Sequence, residues 1–186
     1  MGDRCYLEIS LHGELKTLKD FLGLSIKLND ENMNVSSNGD EVNDVTLAKA
    51  ILAHKPDSPL SFYADEVNYA DVSKLEEYLH DIGISYAIDH EAGDEYAAAC
   101  KAWRVGDEYP SESLMLRGDQ VIYRAQVEEA LKAEDIVVYL NQILDTLDQA
   151  AGEGLPPFTI PEDLRRELAR VLACEVLGVD PMVEQA

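Results

Sequence analysis

From Arg4 to Ser10 the chain alternates. Cys5, Leu7 and Ile9 fall on one side and Tyr6, Glu8 and Ser10 on the other, the period-two pattern of a half-buried strand. The spacing then lengthens to that of a helix over 13–23, where Leu15, Leu18 and Leu22 share a side and Gly23 is placed to stop the turn. The polar run 29–43 predicts a connector, after which Asp44 is placed to cap a second helix over 45–54 that must end before Pro56. SFYADEV (61–67) predicts a strand. Residues 71–82 predict a helix with Val72, Leu75, Leu79 and Ile82 in one stripe, Glu76, Glu77 and Asp81 opposite, and Gly83 as its C-terminal cap.

ISYAIDH (84–90) predicts a further strand, and EYAAACKAWRV (95–105) another, although its alanines leave that element's type open. SLMLR and QVIYR flank Gly118-Asp119 as a hairpin flanks its two-residue turn. From Ala125 the periodicity is helical, first over 125–133 and then over 135–149, where Ile136, Leu140, Leu144 and Leu147 recur at helical spacing. The segment GEGLPPFTIP (152–161) breaks that helix. A last one begins near Pro161 with Glu162 and Asp163 in its first turn and runs to Gly178. The expected class is α+β, with a small mixed sheet and packed helices over 1–124 followed by an all-helical C-terminal part over 125–186.

The chain has 186 residues, 46% of them apolar, enough to bury a core and to exclude a disordered chain. No run approaches the length of a membrane span, and MGDRCYLEIS lacks the basic and apolar regions of a secretory signal, so a host-cell cytoplasmic location is expected. Cys5, Cys100 and Cys174 are odd in number and far apart, which favours buried thiols over disulfides or a zinc site.

Charge changes the picture more than composition does. There are 37 acids against 15 bases, a formal net charge of −22. Residues 61–112 alone carry 13 acids against Lys74, Lys101 and Arg104, a net of −10. Such a chain repels nucleic acid and anionic lipid and is drawn to basic surfaces. Adaptation to high salt is the other source of so acidic a composition.

No pattern of catalytic residues emerges. NDENMNVSSNGDE (29–41) matches the calcium-loop template at Asp30, Asn32, Asn34 and Glu41, but Val35 stands where the loop needs a glycine in a positive-φ turn. An Asn/Ser-rich connector is favoured over a metal site. DHEAGDE (89–95) gathers acids around His90 without completing H-E-x-x-H, and His12, His54 and His80 are isolated. There is no G-x-S-x-G and no glycine-rich phosphate loop. No cofactor, metal ligand or catalytic residue is expected, and the protein is expected not to be an enzyme.

In size, acidity and lack of catalytic motifs the chain resembles the small acidic DNA-mimic proteins of phages and plasmids, the anti-restriction and anti-CRISPR inhibitors. RCYLEIS followed by ADEVNYADVSKLEEYLHDIGISY (64–86) also resembles an uncharacterised group of proteins from bacterial mobile elements. Duplex DNA carries one negative charge per ~1.7 Å of axis, so a charge of −22 equals that of about 37 Å of duplex. A compact chain of this length is roughly 40 Å across. The resemblance therefore implies an inhibitor that presents carboxylates to the basic groove of a nucleic-acid-handling defence complex, without binding nucleic acid or membrane itself. The expected partner-binding residues are Asp65, Glu66, Glu76, Glu77, Asp81, Asp89, Glu91, Asp94, Glu95, Asp107, Glu108 and Glu112. The alternative is a structural or adaptor protein of a mobile element, in which the apolar helices 135–149 and 161–177 form a homodimer or partner interface.

Overall fold

The computed structural model describes residues 4–55, 58–117 and 119–177. Within them the strands are β1 (Arg4–Glu14), β2 (Asn34–Val35), β3 (Leu60–Asn68), β4 (Ser85–His90), β5 (Ala99–Trp103), β6 (Ser111–Leu116), β7 (Asp119–Gln120) and β8 (Phe158–Thr159). The helices are α1 (Leu18–Asp30), α2 (Asp44–Ala53), α3 (Ser73–Ile82), α4 (Arg124–Ala130), α5 (Ile136–Ala150) and α6 (Glu162–Leu177). Seven strands form an antiparallel array in the order β2-β3-β1-β4-β5-β6-β7, and β8 pairs in parallel with the end of β1. The α+β class stands.

Strand β1 is central, antiparallel to β3 on one side and β4 on the other. Its alternation is as the sequence predicts. Leu7, Ile9 and Leu11 are wholly buried, and register places them beside Ala64, Phe62 and Leu60 of β3. Ile88 and Tyr86 of β4 stand opposite Ile9 and Leu11, extending the same apolar face. Helices α1, α2, α3 and α6 cover that face, contributing Phe21, Leu24, Leu47, Ile51, Leu75, Leu79, Leu164 and Leu168 to one core cluster. The opposite face carries Tyr6, Glu8 and Ser10 and is covered by α5 only toward β5 and β6. There Gln120 Nε2 donates to the Leu147 carbonyl at 2.7 Å and lies 3.3 Å from Cys100 Sγ.

Several boundaries fall elsewhere than local pattern predicts. Helix α1 starts after Thr17, whose hydroxyl accepts from Asp20 N, and it runs straight through Gly23 to Asp30. Leu22, expected on the apolar side, is exposed, while Phe21, Leu24 and Leu28 are buried. Gly23 serves packing. A Cβ there would meet Tyr78 Oη of α3 at 2.0 Å, and that hydroxyl donates to the Asp20 carbonyl at 3.0 Å. Asn43, not Asp44, caps α2, in a reciprocal capping box with Thr46. Gly83 ends α3 in the left-handed conformation, φ 69°, as predicted. The element of uncertain type over 95–105 is strand β5. The hairpin of β6 and β7 is present, with Met115 opposite Gln120, but its second strand is two residues long. The expected turn residue Gly118 and the expected helix limits Pro56 and Gly178 lie outside the described residues.

The expectation of an all-helical C-terminal part is not met. Residues 152–161 include β8, where Gly13 N donates to the Pro157 carbonyl and Leu15 N to the Thr159 carbonyl. Beyond it, Leu164 and Leu168 of α6 are buried in the principal core with α2. Leu164 and Leu168, in the first half of helix 161–177, thus face the core.

The α1–α3 contact gives a prediction of unusual sign. Alanine is normally favoured over glycine in a helix by up to about 1 kcal/mol. Gly23→Ala should instead lose about 1–3 kcal/mol in urea unfolding, because the added methyl overlaps the Tyr78 ring. In a Tyr78→Ala background the same substitution should become neutral or stabilising, as a double-mutant cycle would show.

Candidate functional site

Pairing fixes which polar side chains share the open face of the sheet. Glu8 stands directly opposite Tyr63 of β3 and Asp89 of β4, and Asp89 in turn stands opposite Cys100 of β5. Side chains on adjacent strands lie ~5 Å apart at Cβ, so Glu8 and Asp89 are like charges in direct contact range. Beside them Tyr6 stacks on Tyr63, ring centroids 5.9 Å apart. Glu91 N donates to the Tyr6 carbonyl at 3.0 Å, which carries the β1–β4 ladder on and sets Glu91 next to Tyr6. The register of β1 against β3 shifts between Cys5 and Leu7, a bulge that places Asp65 alongside.

The electrostatics follow from this crowding. Burial, and then the charges of Glu8, Asp65 and Glu91, push the Tyr6 phenol above its ordinary range. The Asp89 carboxyl also sits above the usual carboxylate range. Burial of the carboxyl is the larger cause and the Glu8 charge the next, with His90 acting the other way, although the residue as a whole is exposed. Tyr6, Glu8, Asp89, Glu91 and Met115 line a cleft of about 290 Å³.

The other expected residues lie elsewhere. Glu76, Glu77 and Asp81 are on α3, across the sheet from Glu8 and Asp89. Glu76 is not a free surface charge. Lys101 Nζ is 2.6 Å from its Oε1, and its side chain is only 14% exposed. Its negative charge raises the Tyr86 phenol, which burial already holds above its usual range. Nearby, His80 lies over Trp103, with centroids 4.0 Å apart, and 3.2 Å from the Tyr86 hydroxyl. Glu112 stands opposite Lys101 on β6. Glu66 is held by Arg4 at the sheet margin. Asp94 and Glu95 are in the loop before β5, where the Tyr69 hydroxyl reaches Glu95 at 3.4 Å. Asp107 and Glu108 are in the turn after β5, where Trp103 Nε1 donates to the Asp107 carbonyl at 3.1 Å.

The fold thus brings Asp65, Asp89 and Glu91 together and divides the remaining nine between the helical face and three loops or margins. No family model, curated protein or solved structure matches this chain. What the site can do rests on its own geometry.

Glu8 is the residue that the acid-rich window 61–112 omits. The signal for it was local: alternation in RCYLEIS sets Glu8 on the polar side of a strand, and ISYAIDH sets Asp89 on the polar side of another. In β4, Asp89 pairs with Glu8 and His90 with Leu7, so the His90 side chain points to the face opposite the one that carries Asp89. The calcium-like segment connects α1 to α2 and is exposed over 36–41, but it is anchored in the core at three points. Met33, Val35 and Val42 are buried, Val35 pairs with Phe62 as part of β2, and Asn34 bridges Glu41. Extended backbone at Val35 replaces the turn that a calcium loop requires at that position. Among the described residues, no group of three His, Cys, Asp or Glu side chains is placed to hold a metal ion, and no helix is long and apolar enough to cross a membrane.

Because the folded chain favours the protonated form of Asp89, the stability this contributes is present in acid. It is lost as the pH climbs from the ordinary carboxylate value of about 4 through the raised one. Glu8→Gln removes the opposing charge. It should stabilise the protein by a few tenths to about 1 kcal/mol at neutral pH, with the gain vanishing in strong acid. NMR titration should show Asp89 ionising at lower pH in that variant than in the wild type.

Proposed function

We propose that this protein is a non-enzymatic acidic inhibitor, acting in the host-cell cytoplasm, whose carboxylates take the place of nucleic-acid phosphates in the basic groove of a defence complex such as a restriction or CRISPR effector. The observation that carries this reading is the Glu8–Asp89 pair. Two carboxylates set opposite one another on adjacent strands, with Asp65 and Glu91 close by, repel each other in the isolated protein. An arginine or lysine side chain from a partner relieves that repulsion, so the geometry that costs stability in the free chain gains affinity in the complex. Tyr6 and Tyr63, stacked beside the acids, offer a flat apolar surface on which a guanidinium packs.

The open sheet face, rather than α3, is then the principal contact. On α3, Glu76 is already engaged by Lys101, whereas Asp89 stands among acids. A net charge of −22 steers the whole molecule toward a basic target and makes association steeply dependent on salt.

The test compares two sets of substitutions. Immobilised protein, incubated with nuclease-treated host extract at low ionic strength, should retain basic nucleic-acid-binding proteins that are released by raised salt and by added duplex DNA. The combined variant Glu8→Gln, Asp65→Asn, Asp89→Asn and Glu91→Gln should lose this retention. Glu77→Gln with Asp81→Asn, on the far face, should keep most of it. Retention that ignores DNA, or that falls equally in both variants, would sink the reading.

A further inference from the structure

A second surface lies on the C-terminal side of the sheet and is of another kind. Helix α5 is amphipathic, but only its second half is well covered. Ile143 and Ala150 are buried, whereas Ile136, Val137, Val138, Leu140 and Leu144 are exposed, Val137 to 62% and Leu144 to 50%. Along α4, its N-cap Tyr123, Val127 and its C-cap Leu131 recur at four-residue intervals and are also exposed, Leu131 to 69%. Single exposed leucines are ordinary on protein surfaces. Two neighbouring helices that each leave an apolar stripe to water are a mark of an interaction surface. Between these helices and β6 runs a groove of about 450 Å³, with Ile143 and Leu147 among its apolar residues and Gln126, Gln142, Thr146 and Tyr139 among its polar ones.

Charge selects the occupant. Residues 124–150 carry Glu128, Glu129, Glu134, Asp135, Asp145 and Asp148 against Arg124 and Lys132 alone, and Arg124 is held by Glu128 at 2.7 Å. All six acids are exposed. A second copy of the chain would press two such acidic rims together, each on a molecule of charge −22. Nucleic acid and anionic lipid are repelled for the same reason. What matches an apolar floor with an acidic border is an apolar stripe with a basic border, and stripes at helical spacing pack best on another helix. We propose that the α4–α5 surface and its groove dock a basic amphipathic helix of a partner protein. This surface is separate from the Glu8–Asp89 cluster, and each can fail without the other.

The probe is a fluorescent synthetic peptide about five turns long, with leucines on one side of the helix and lysines on the other. Two controls accompany it: a scrambled peptide of the same composition, and an amphipathic one with glutamate in place of lysine. Fluorescence anisotropy with the full chain should show saturable binding of the basic amphipathic peptide. The scrambled peptide should bind about tenfold more weakly or worse, and the acidic one not at all. The combined variant Val127→Ser, Leu131→Ser, Leu140→Ser and Leu144→Ser, all at exposed positions, should weaken binding by about tenfold or more. The variant Glu8→Gln, Asp65→Asn, Asp89→Asn and Glu91→Gln should change it little.

Chemical-shift mapping on the wild-type protein gives the same answer without relying on a variant's folding, with changes centred on Val127, Leu131, Leu140 and Leu144. Equal affinity for the scrambled peptide, shift changes confined to β1, β3 and β4, or unaltered binding by the serine variant would overturn the proposal. So would sedimentation showing a wild-type dimer that the serine variant dissociates, because the occupant would then be a second copy.

Discussion

Everything in this fold is hung on the two-sided pairing of β1. Leu7, Ile9 and Leu11 have no exposed surface; Ile9 and Leu11 are bracketed by apolar or aromatic partners from both β3 and β4, and Leu7 lies between Ala64 and His90. A slip of one residue would turn those three toward water and carry Glu8 into the core, so the hydrophobic effect fixes the register with little tolerance. Four helices then have one apolar plate to cover. The helix faces, the close α1–α3 approach at Gly23 and the burial of Leu164 and Leu168 all follow from where that plate lies.

The same register distributes the charge. Having fixed which residues go inward, it fixes what remains on the other side, and Glu8 meets Asp89 because Ile9 meets Ile88. The core more than offsets the resulting repulsion, since burying aliphatic side chains contributes more than one exposed pair of like charges costs. On the helical side the opposite arrangement holds. Glu76 is largely withdrawn from water and is compensated by Lys101, near the buried Tyr86. Glu76 and Asp89, on the two faces of one sheet, thus meet different surroundings, one paired with a lysine and the other set against a second carboxylate.

The parts of this arrangement that were legible in the sequence are those governed by neighbours in the chain. Alternation marked β1, the stripe of Val72, Leu75 and Leu79 marked α3, and Gly83 marked its end. The cap of α2 falls one residue earlier than predicted for a local reason, the Asn43–Thr46 capping box; the larger differences are long-range. Gly23 looks like a stop until Tyr78 is known to lie against it. Val35 and Val42 look like loop residues until Phe62 and the core are placed beside them. The helical period of 135–149 was plain, but which of its leucines would be covered depended on how far β5 and β6 extend beneath it, and most of those in the first half are not covered. The division of the acids between faces could not be read from a list of carboxylates, because it is decided by pairing register.

The parallel bridge of β8 to β1 has one further effect, on the order of assembly. Gly13 and Leu15 receive hydrogen-bond partners from Pro157 and Thr159, and α2 gains its cover only when Leu164 and Leu168 arrive. Strand β1 is therefore closed by residues synthesised long after it. A nascent chain must hold an unfinished apolar plate until β8 and α6 emerge, and its abundant carboxylates help keep that intermediate dispersed while it waits.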